Sequence, residues 1–385
     1  MSSDEAAARV LSGTTWRDFC RALERAGDVI LRPGSPLDAF DRAEGFRYLS
    51  RLTRVALESY LEFADPHFPV LRRPAHETVK IGADNPDNYY QSAAIRGDCE
   101  YRLSGTRGTV HYLGFGTYAG GYGSSGRRGQ TGYVDARELT IGADGRFEVL
   151  LSCRRPPAGT PWLAMEPDTS SLIVRQTFED RAREQIADLR LERLGGGGAP
   201  QPLDPEFLDR GLQAAAAYVH GTASLFADWA EGFAERVNEL PRFDSAVAAA
   251  AHGDPNIVYY HGYWELEPDQ ALVIAVTPPP CEYWNFQLNN HWMESLDYRY
   301  HRIAVNHHGA MAEPDGSVRL VIAAQDPRVG NWLDTAGHRR GTMCLRWIGA
   351  QTHPDPQTRI VALAALRRER ARSAGGNPGE QGAAG

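Results

Sequence analysis

The sequence predicts a mainly β protein with α additions, an antiparallel, jelly-roll-like β-sandwich with N-terminal helices and a helical insertion. Three observations carry this expectation. Apolar residues recur at helical spacing near the N-terminus, alternate with period two from about Thr78, turn helical again after residue 178, and alternate once more after Pro255. Turn residues at Ala143-Asp144-Gly145 read as a hairpin, and Glu267-Pro268-Asp269-Gln270 and Glu313-Pro314-Asp315-Gly316 read as turns joining successive strands. Strands come in runs rather than alternating with helices, which excludes a βαβ architecture.

Residues 1–70 form the helical start. Thr15 can cap a helix whose Trp16, Phe19, Cys20 and Leu23 follow three–four spacing, and Tyr48, Leu52, Val55 and Leu61 repeat it until Pro66 and Pro69 break the pattern. Residues 78–177 hold the first part of the sandwich, with strands over 100–103, 109–115, 138–141, 146–152 and 171–177. Residues 178–252 read as the helical insertion: helix over 178–194, a glycine break at 195–198, then a stripe of Leu208, Leu212, Ala215, Val219, Phe226, Trp229 and Phe233. Packing of that stripe against a neighbouring element is favoured over a cofactor pocket. Residues 255–350 supply the second part, with strands over 256–265, 271–277, 302–312, 317–323 and 342–348. The two strand runs are expected to form one continuous sandwich. The tail, 367–385, is charged and then Gly/Ala-rich, the composition of an unstructured segment.

Composition excludes several activities. The 385 residues carry a net charge of −8, and 40 of the 41 basic residues are arginine, with Lys80 the only lysine. A Walker A loop needs Gly-Lys-Ser/Thr, which is absent. Schiff-base chemistry would rest on Lys80 alone, and the alternation around it points to a solvated strand residue. No organic cofactor is expected. The five cysteines are scattered without a Cys-x-x-Cys pair, as in a reducing compartment. Neither a secretory core nor a membrane-length apolar run is present, and the acidic balance argues against nucleic acid. These features predict a cytoplasmic protein that binds neither membrane nor nucleic acid. Homo-oligomerisation stays open.

Gly121-Tyr122-Gly123-Ser124-Ser125-Gly126 matches the dinucleotide pattern, but no helix follows to receive a phosphate, so it reads as a loop between strands. The densest chemistry lies between Pro278 and His308. Alternation puts Trp284, Phe286 and Leu288 on one strand face and Asn285, Gln287 and Asn289 on the other. Glu294, His291, Asp297 and Glu282 are the candidate acid/base residues. Trp284, Gln287, Asn289, Arg299 and His301 are candidates for binding substrate, joined by Asp87, Tyr90, Arg175 and Trp332. The spacing of His291, His301, His307 and His308 fits no common metal site, so no metal is expected. A structural hydrogen-bond network is the main alternative for this polar segment.

Several short motifs, in order, resemble the domain of unknown function 1214 family. They are Asn85-Pro-Asp-Asn-Tyr-Tyr with Ser92-Ala-Ala-Ile, Arg107-Gly-Thr-Val-His-Tyr-Leu, Leu172-Ile-Val-Arg-Gln-Thr-Phe, Tyr283-Trp-Asn-Phe-Gln-Leu, Met293-Glu-Ser-Leu-Asp-Tyr-Arg and Gly330-Asn-Trp-Leu. The resemblance spans about residues 78–350 and implies a jelly-roll sandwich with a helical insertion. Family members often carry a domain of unknown function 1254 at the N-terminus, where this chain reads as helices. The final strand, Arg346-Trp347-Ile348-Gly349, lacks the family's closing proline. The resemblance implies a fold and no reaction.

The function expected from the residues is an enzyme acting on a polar, ring-containing small molecule or glycan by carboxylate/histidine acid–base chemistry. A non-catalytic small-molecule or carbohydrate binding protein is the alternative, and a structural or assembly protein the second. Paired carboxylates in one cleft would favour the enzyme. A deep aromatic pocket without such a pair would favour the binder.

Overall fold

The computed structural model describes residues 2–123 and 128–375, the side chains of 370–375 excepted. Three helices open the chain: α1 (Ser3–Leu11), α2 (Thr14–Leu31) and α3 (Ala39–Leu57), the last extended by a π-helical turn over Glu58–Glu62. Asp38 caps α3 by accepting from the Asp41 amide, as an N-cap aspartate does. Phe19, Ile30, Leu49 and Leu52 then pack against α4 (Pro205–Ala234). Asp204 caps α4, and Pro205 fits its first turn, where no donor is needed.

The strands differ from the continuous sandwich expected. They divide into two complete sandwiches whose strands never pair with each other among the described residues. In the first, β1 (Asn88–Ala94), β7 (Thr169–Thr177), β3 (Tyr112–Ala119) and β4 (Gly129–Asp135) lie side by side in that order. Its second sheet runs β6 (Trp162–Ala164), β5 (Arg146–Ser152), β2 (Tyr101–Thr106) and β8 (Asp188–Arg193). The C-terminal half repeats this plan. One sheet is β9 (Ile257–Glu265), β15 (Arg340–Ile348), β11 (Tyr283–Leu288) and β12 (Ala304–Asn306). The other is β14 (Trp332–Asp334), β13 (Val318–Ala323), β10 (Gln270–Val276) and β16 (Gln357–Ala362). Each half therefore uses the same strand order, down to a single parallel pair, β5 with β6 and β13 with β14. The fold is an internal duplication of a two-sheet sandwich.

Separate cores explain the division. Leu103, Phe115, Val149 and Leu172 fill the first sandwich, and Trp264, Phe286, Leu320 and Trp347 fill the second. Each half buries enough apolar side chain to close its own two layers, so pairing across them is not required. Period two reports that a strand is half-buried; it does not name the strand's partner.

Smaller corrections follow from the same limit. Residues 178–194 are not helical: they form turns and then β8, held to β2 with Leu191 facing Leu103. Residues 138–141 are not a strand, because Asp135 and Glu138 close a capping box around a 3-10 turn, Ala136–Glu138. Helix α5 (Ser245–Ala250) completes the insertion, and α6 (Leu363–Gly375) enters the segment expected to be unstructured; residues 376–385 lie outside the described ones. Among the described residues, no helix is long and apolar enough to cross a membrane.

Candidate functional site

The register of the two halves superposes specific residues. Tyr90 on β1 sits opposite Arg175 on β7, and Tyr259 on β9 sits opposite Arg346 on β15. Likewise Tyr112 on β3 corresponds to Tyr283 on β11, through their partners Thr177 and Ile348. The loops before β1 and β9 reach across to the opposite half. The Tyr283 hydroxyl donates to Asp87, and the Tyr112 hydroxyl donates to Asp254 at 3.2 Å. Tyr112, Tyr283 and Ile348 form a small apolar cluster at this junction.

On the other side of the junction a cavity of about 560 Å³ opens between the sheets, within the usual range of small-molecule sites. Tyr90, Arg175, Tyr259 and Arg346 line it from the two sandwiches, and Tyr218, Phe226 and Trp229 close it from α4. Both arginines are buried, at 9% and 4% exposure. Arg175 donates to the Tyr118 hydroxyl at 2.9 Å and to the His252 carbonyl. Arg346 donates to Gln287 Oε1 at 2.6 Å and to the Ala83 carbonyl. Among the described residues, neither forms an ion pair, unlike most arginines near acidic groups in this chain. The nearby carboxylates are engaged elsewhere: Asp84 accepts from the Ser295 amide and hydroxyl, and Asp254 from Tyr112 and Tyr133.

Two buried histidines also border this space. Burial lowers His252 to about 4 and His261 to about 3, so both are neutral at pH 7. Among the described residues, His252 Nε2 and His261 Nδ1 have no hydrogen-bond partner. Buried polar atoms without partners are rare in folded chains. Ala83 and Met293, at the cavity's floor and behind it, hold positive φ values of 57° and 56°, fixed by the Ala83 amide donating to the Met293 carbonyl at 2.6 Å.

The glycine-rich loop contributes Gly120, Gly121 and Tyr122 to the wall. A Cβ on Gly123 would lie 1.9 Å from the Ala217 carbonyl, so the loop rests on the middle of α4 rather than at a helix N-terminus. This rules out the dinucleotide geometry. Ser124, Ser125 and Gly126 of that motif lie outside the described residues.

Of the residues selected from sequence, Tyr90 and Arg175 line the cavity, and Gln287 holds Arg346 at its edge. The rest lie outside it. Glu294 is buried, pairs with Arg51 at 2.6 Å and accepts from Asn290 at 3.0 Å; burial pushes its carboxyl above the usual range. His291 contacts the Tyr263 hydroxyl at 2.9 Å and is lowered by burial to about 3. Asp297 pairs with Arg299 at 2.7 Å, which lowers it to about 2. Glu282 pairs with Arg137, also at 2.7 Å. His301 contacts Asp334 at 2.7 Å, and Asn289 donates to Thr342 at 3.2 Å. Glu294, Asp297 and His301 share a separate hollow of about 180 Å³ with Lys80. Asp87 belongs to the junction described above.

Three expectations are corrected outright. Trp284 is not a substrate platform: it packs edge-on to Trp347 inside the second core. Trp332 opens β14, donates to the Ala323 carbonyl at 2.9 Å and packs beside Val329 rather than in the cavity. Lys80 is not solvated; its ammonium donates to the Ser295 and Leu296 carbonyls and lies 4.7 Å from the Tyr298 ring centre, and burial lowers its pKa. Sequence reasoning missed Arg346, Tyr259, His252 and His261 as cavity residues. The signal available for them was the repeat of Asn85-Pro86-Asp87 with Tyr90 as Asp254-Pro255-Asn256 with Tyr259.

Fold and cavity together define a duplicated β-sandwich protein with a chamber of small-molecule dimensions between its halves. The chain belongs to the domain of unknown function 1214 family: the model described as "Protein of unknown function (DUF1214)" matches residues 265–352. An uncharacterised protein from Burkholderia cenocepacia is 55% identical, with TM-score 0.91 over 93% of this chain and 99% of that one. The VPA0106 protein from Vibrio parahaemolyticus is 12% identical, with TM-score 0.47 over 83% of this chain and 98% of that one. No curated protein matches the chain.

Proposed function

We propose that this protein binds a small organic anion, one acidic group on an aromatic or apolar body, in the cavity between its sandwiches. The observation that carries this reading is the pair of buried arginines, Arg175 and Arg346, facing one chamber without an ion pair among the described residues. A buried cation costs several kcal/mol unless a countercharge offsets it, on the order of what a whole ligand contact contributes. An anionic ligand supplies that charge to both. Planar guanidinium groups suit carboxylate, sulfate or phosphate alike. Tyr90, Tyr259, Phe226 and Trp229 give the ring a stacking surface, and the unpartnered nitrogens of His252 and His261 suit its polar substituents.

Binding is favoured over hydrolysis because, among the described residues, the cavity lacks a pair of free carboxylates. Asp84, the acid at its wall, is tied to Ser295, and the candidate acid/base residues lie elsewhere. Neither hydrolase chemistry nor a carbohydrate ligand has support in the matched proteins. A thermal-shift screen pairing ring carboxylates, sulfonates and phosphates with neutral isosteres tests the reading. Acids should raise the melting temperature and their neutral isosteres should not. A response to neutral sugars alone would overturn it.

A further inference from the structure

Away from the cavity, on the solvent side of the junction, three segments bring ligating atoms together. His111 immediately precedes β3, His307 immediately follows β12, and Glu179 follows β7. Their donor atoms all lie within 4.8 Å of one another. Glu179 Oε2 is 3.1 Å from His111 Nδ1, and Oε1 is 2.8 Å from His307 Nε2.

One ring nitrogen of His111 is anchored on the backbone. His111 Nε2 lies 2.8 Å from the Glu282 carbonyl oxygen, which can only accept, so Nε2 carries the hydrogen. In a neutral imidazole, Nδ1 then presents a lone pair to a carboxylate oxygen. A second proton or a metal ion between the two groups makes that contact favourable. Metal-ligating histidines characteristically hold their distal N–H on a backbone carbonyl in this way. His307 is anchored through its own backbone, which donates to the Trp284 carbonyl at 3.0 Å.

The duplication provides an internal comparison. By register, Glu282 occupies the place of His111 in the other half, and Ala136 and Arg137 the places of His307 and His308. There Glu282 and Arg137 form an ordinary ion pair at 2.7 Å. The fold therefore tolerates an arginine–carboxylate pair at this position, and the histidine cluster is a feature of one half alone. In a chain with 40 arginines, the basic side chains facing Glu179 among the described residues are imidazoles. The side chains of His111, Glu179 and His307 retain 26–29% exposure, leaving room for water on the open side.

We propose that His111, His307 and Glu179 bind a first-row divalent cation. Two imidazoles and one carboxylate with open positions form the donor set of zinc and ferrous sites. His308, 3.8 Å from Glu179 and 3.6 Å from Asp180, stands beside the site.

The test uses the untagged full-length chain, stripped with chelator, desalted and titrated with Zn²⁺ and, separately, Co²⁺. One equivalent should bind, and Co²⁺ should give the visible absorption of a nitrogen–oxygen site. His307→Ala and Glu179→Gln should each abolish that equivalent, while His220→Ala, on the exposed side of α4, retains it. Glu179→Gln keeps size and hydrogen-bonding capacity, and far-UV circular dichroism verifies that each variant is folded. Absence of a bound equivalent in the wild-type chain would overturn the proposal. So would an equivalent that persists in folded His111→Ala and His307→Ala.

Discussion

Arg175 and Arg346 occupy the same place in two copies of one sandwich, each opposite a tyrosine on the neighbouring strand, and both face the cavity between the copies. A position kept as arginine in both halves, while the surrounding sequence has diverged, places two positive charges in one chamber. The inter-sandwich cavity is thus built around a pseudo-dyad.

Lys80 lies in the neighbouring hollow, one residue before the cavity-lining Ile81. Its ammonium serves the Ser295 and Leu296 carbonyls and stands near Asp84 and Glu294. Lys80→Met should leave those groups buried without their cation and destabilise the fold by about 3–5 kcal/mol. Chemical denaturation measures this, and a loss below about 1 kcal/mol would contradict the buried role.

The buried histidines predict a pH slope. His261 and His291 are held near 3 in the fold, against an ordinary value near 6.5 when unfolded. The unfolded chain therefore binds more protons between these values. Stability from each is fully present above about pH 6.5 and declines by roughly 1.4 kcal/mol per pH unit on the way down. Asp84 and Glu294, raised by burial, act with the opposite sign. The informative quantity is thus a difference: unfolding free energies of wild type and His291→Phe between pH 4.5 and 7. The variant should show the flatter decline on acidification, and parallel slopes would contradict a neutral buried His291.

Glu294 separates network from site. Its carboxylate is committed to Arg51 and Asn290, outside the cavity lining. Glu294→Gln should cost about 3 kcal/mol by stranding Arg51. It should leave anion affinity in the cavity unchanged, as calorimetry on the folded variant would show. A variant of normal stability that loses binding would return Glu294 to the functional residues.

Much of the fold was legible because burial leaves a period. The two faces of β11 were readable from alternation: Trp284, Phe286 and Leu288 enter the core, while Asn285 and Gln287 turn toward Arg346. Pairing was not legible, since alternation is silent about which strand lies alongside. The duplication was hidden for a related reason. A few positions with strict geometric duties persist, such as Pro86 and Pro255 or Tyr112 and Tyr283, and the core residues between them are interchangeable apolar side chains. Lys80 was misread because its partners come from a loop distant in sequence. The His111, Glu179 and His307 cluster needed three separate segments for its assembly, and adjacent histidines at 307 and 308 drew attention to local spacing instead.

Isothermal titration of the strongest-binding ring acid, beside its neutral amide, into wild type, Arg175→Gln and Arg346→Gln tests the anion site most directly. One equivalent of acid should bind the wild-type chain. Each folded variant should lose about tenfold or more in affinity, ~1.4 kcal/mol, and the amide should bind all three chains weakly. Equal affinity of wild type and both folded variants for the acid, or amide binding as tight as acid binding in the wild type, would contradict the site.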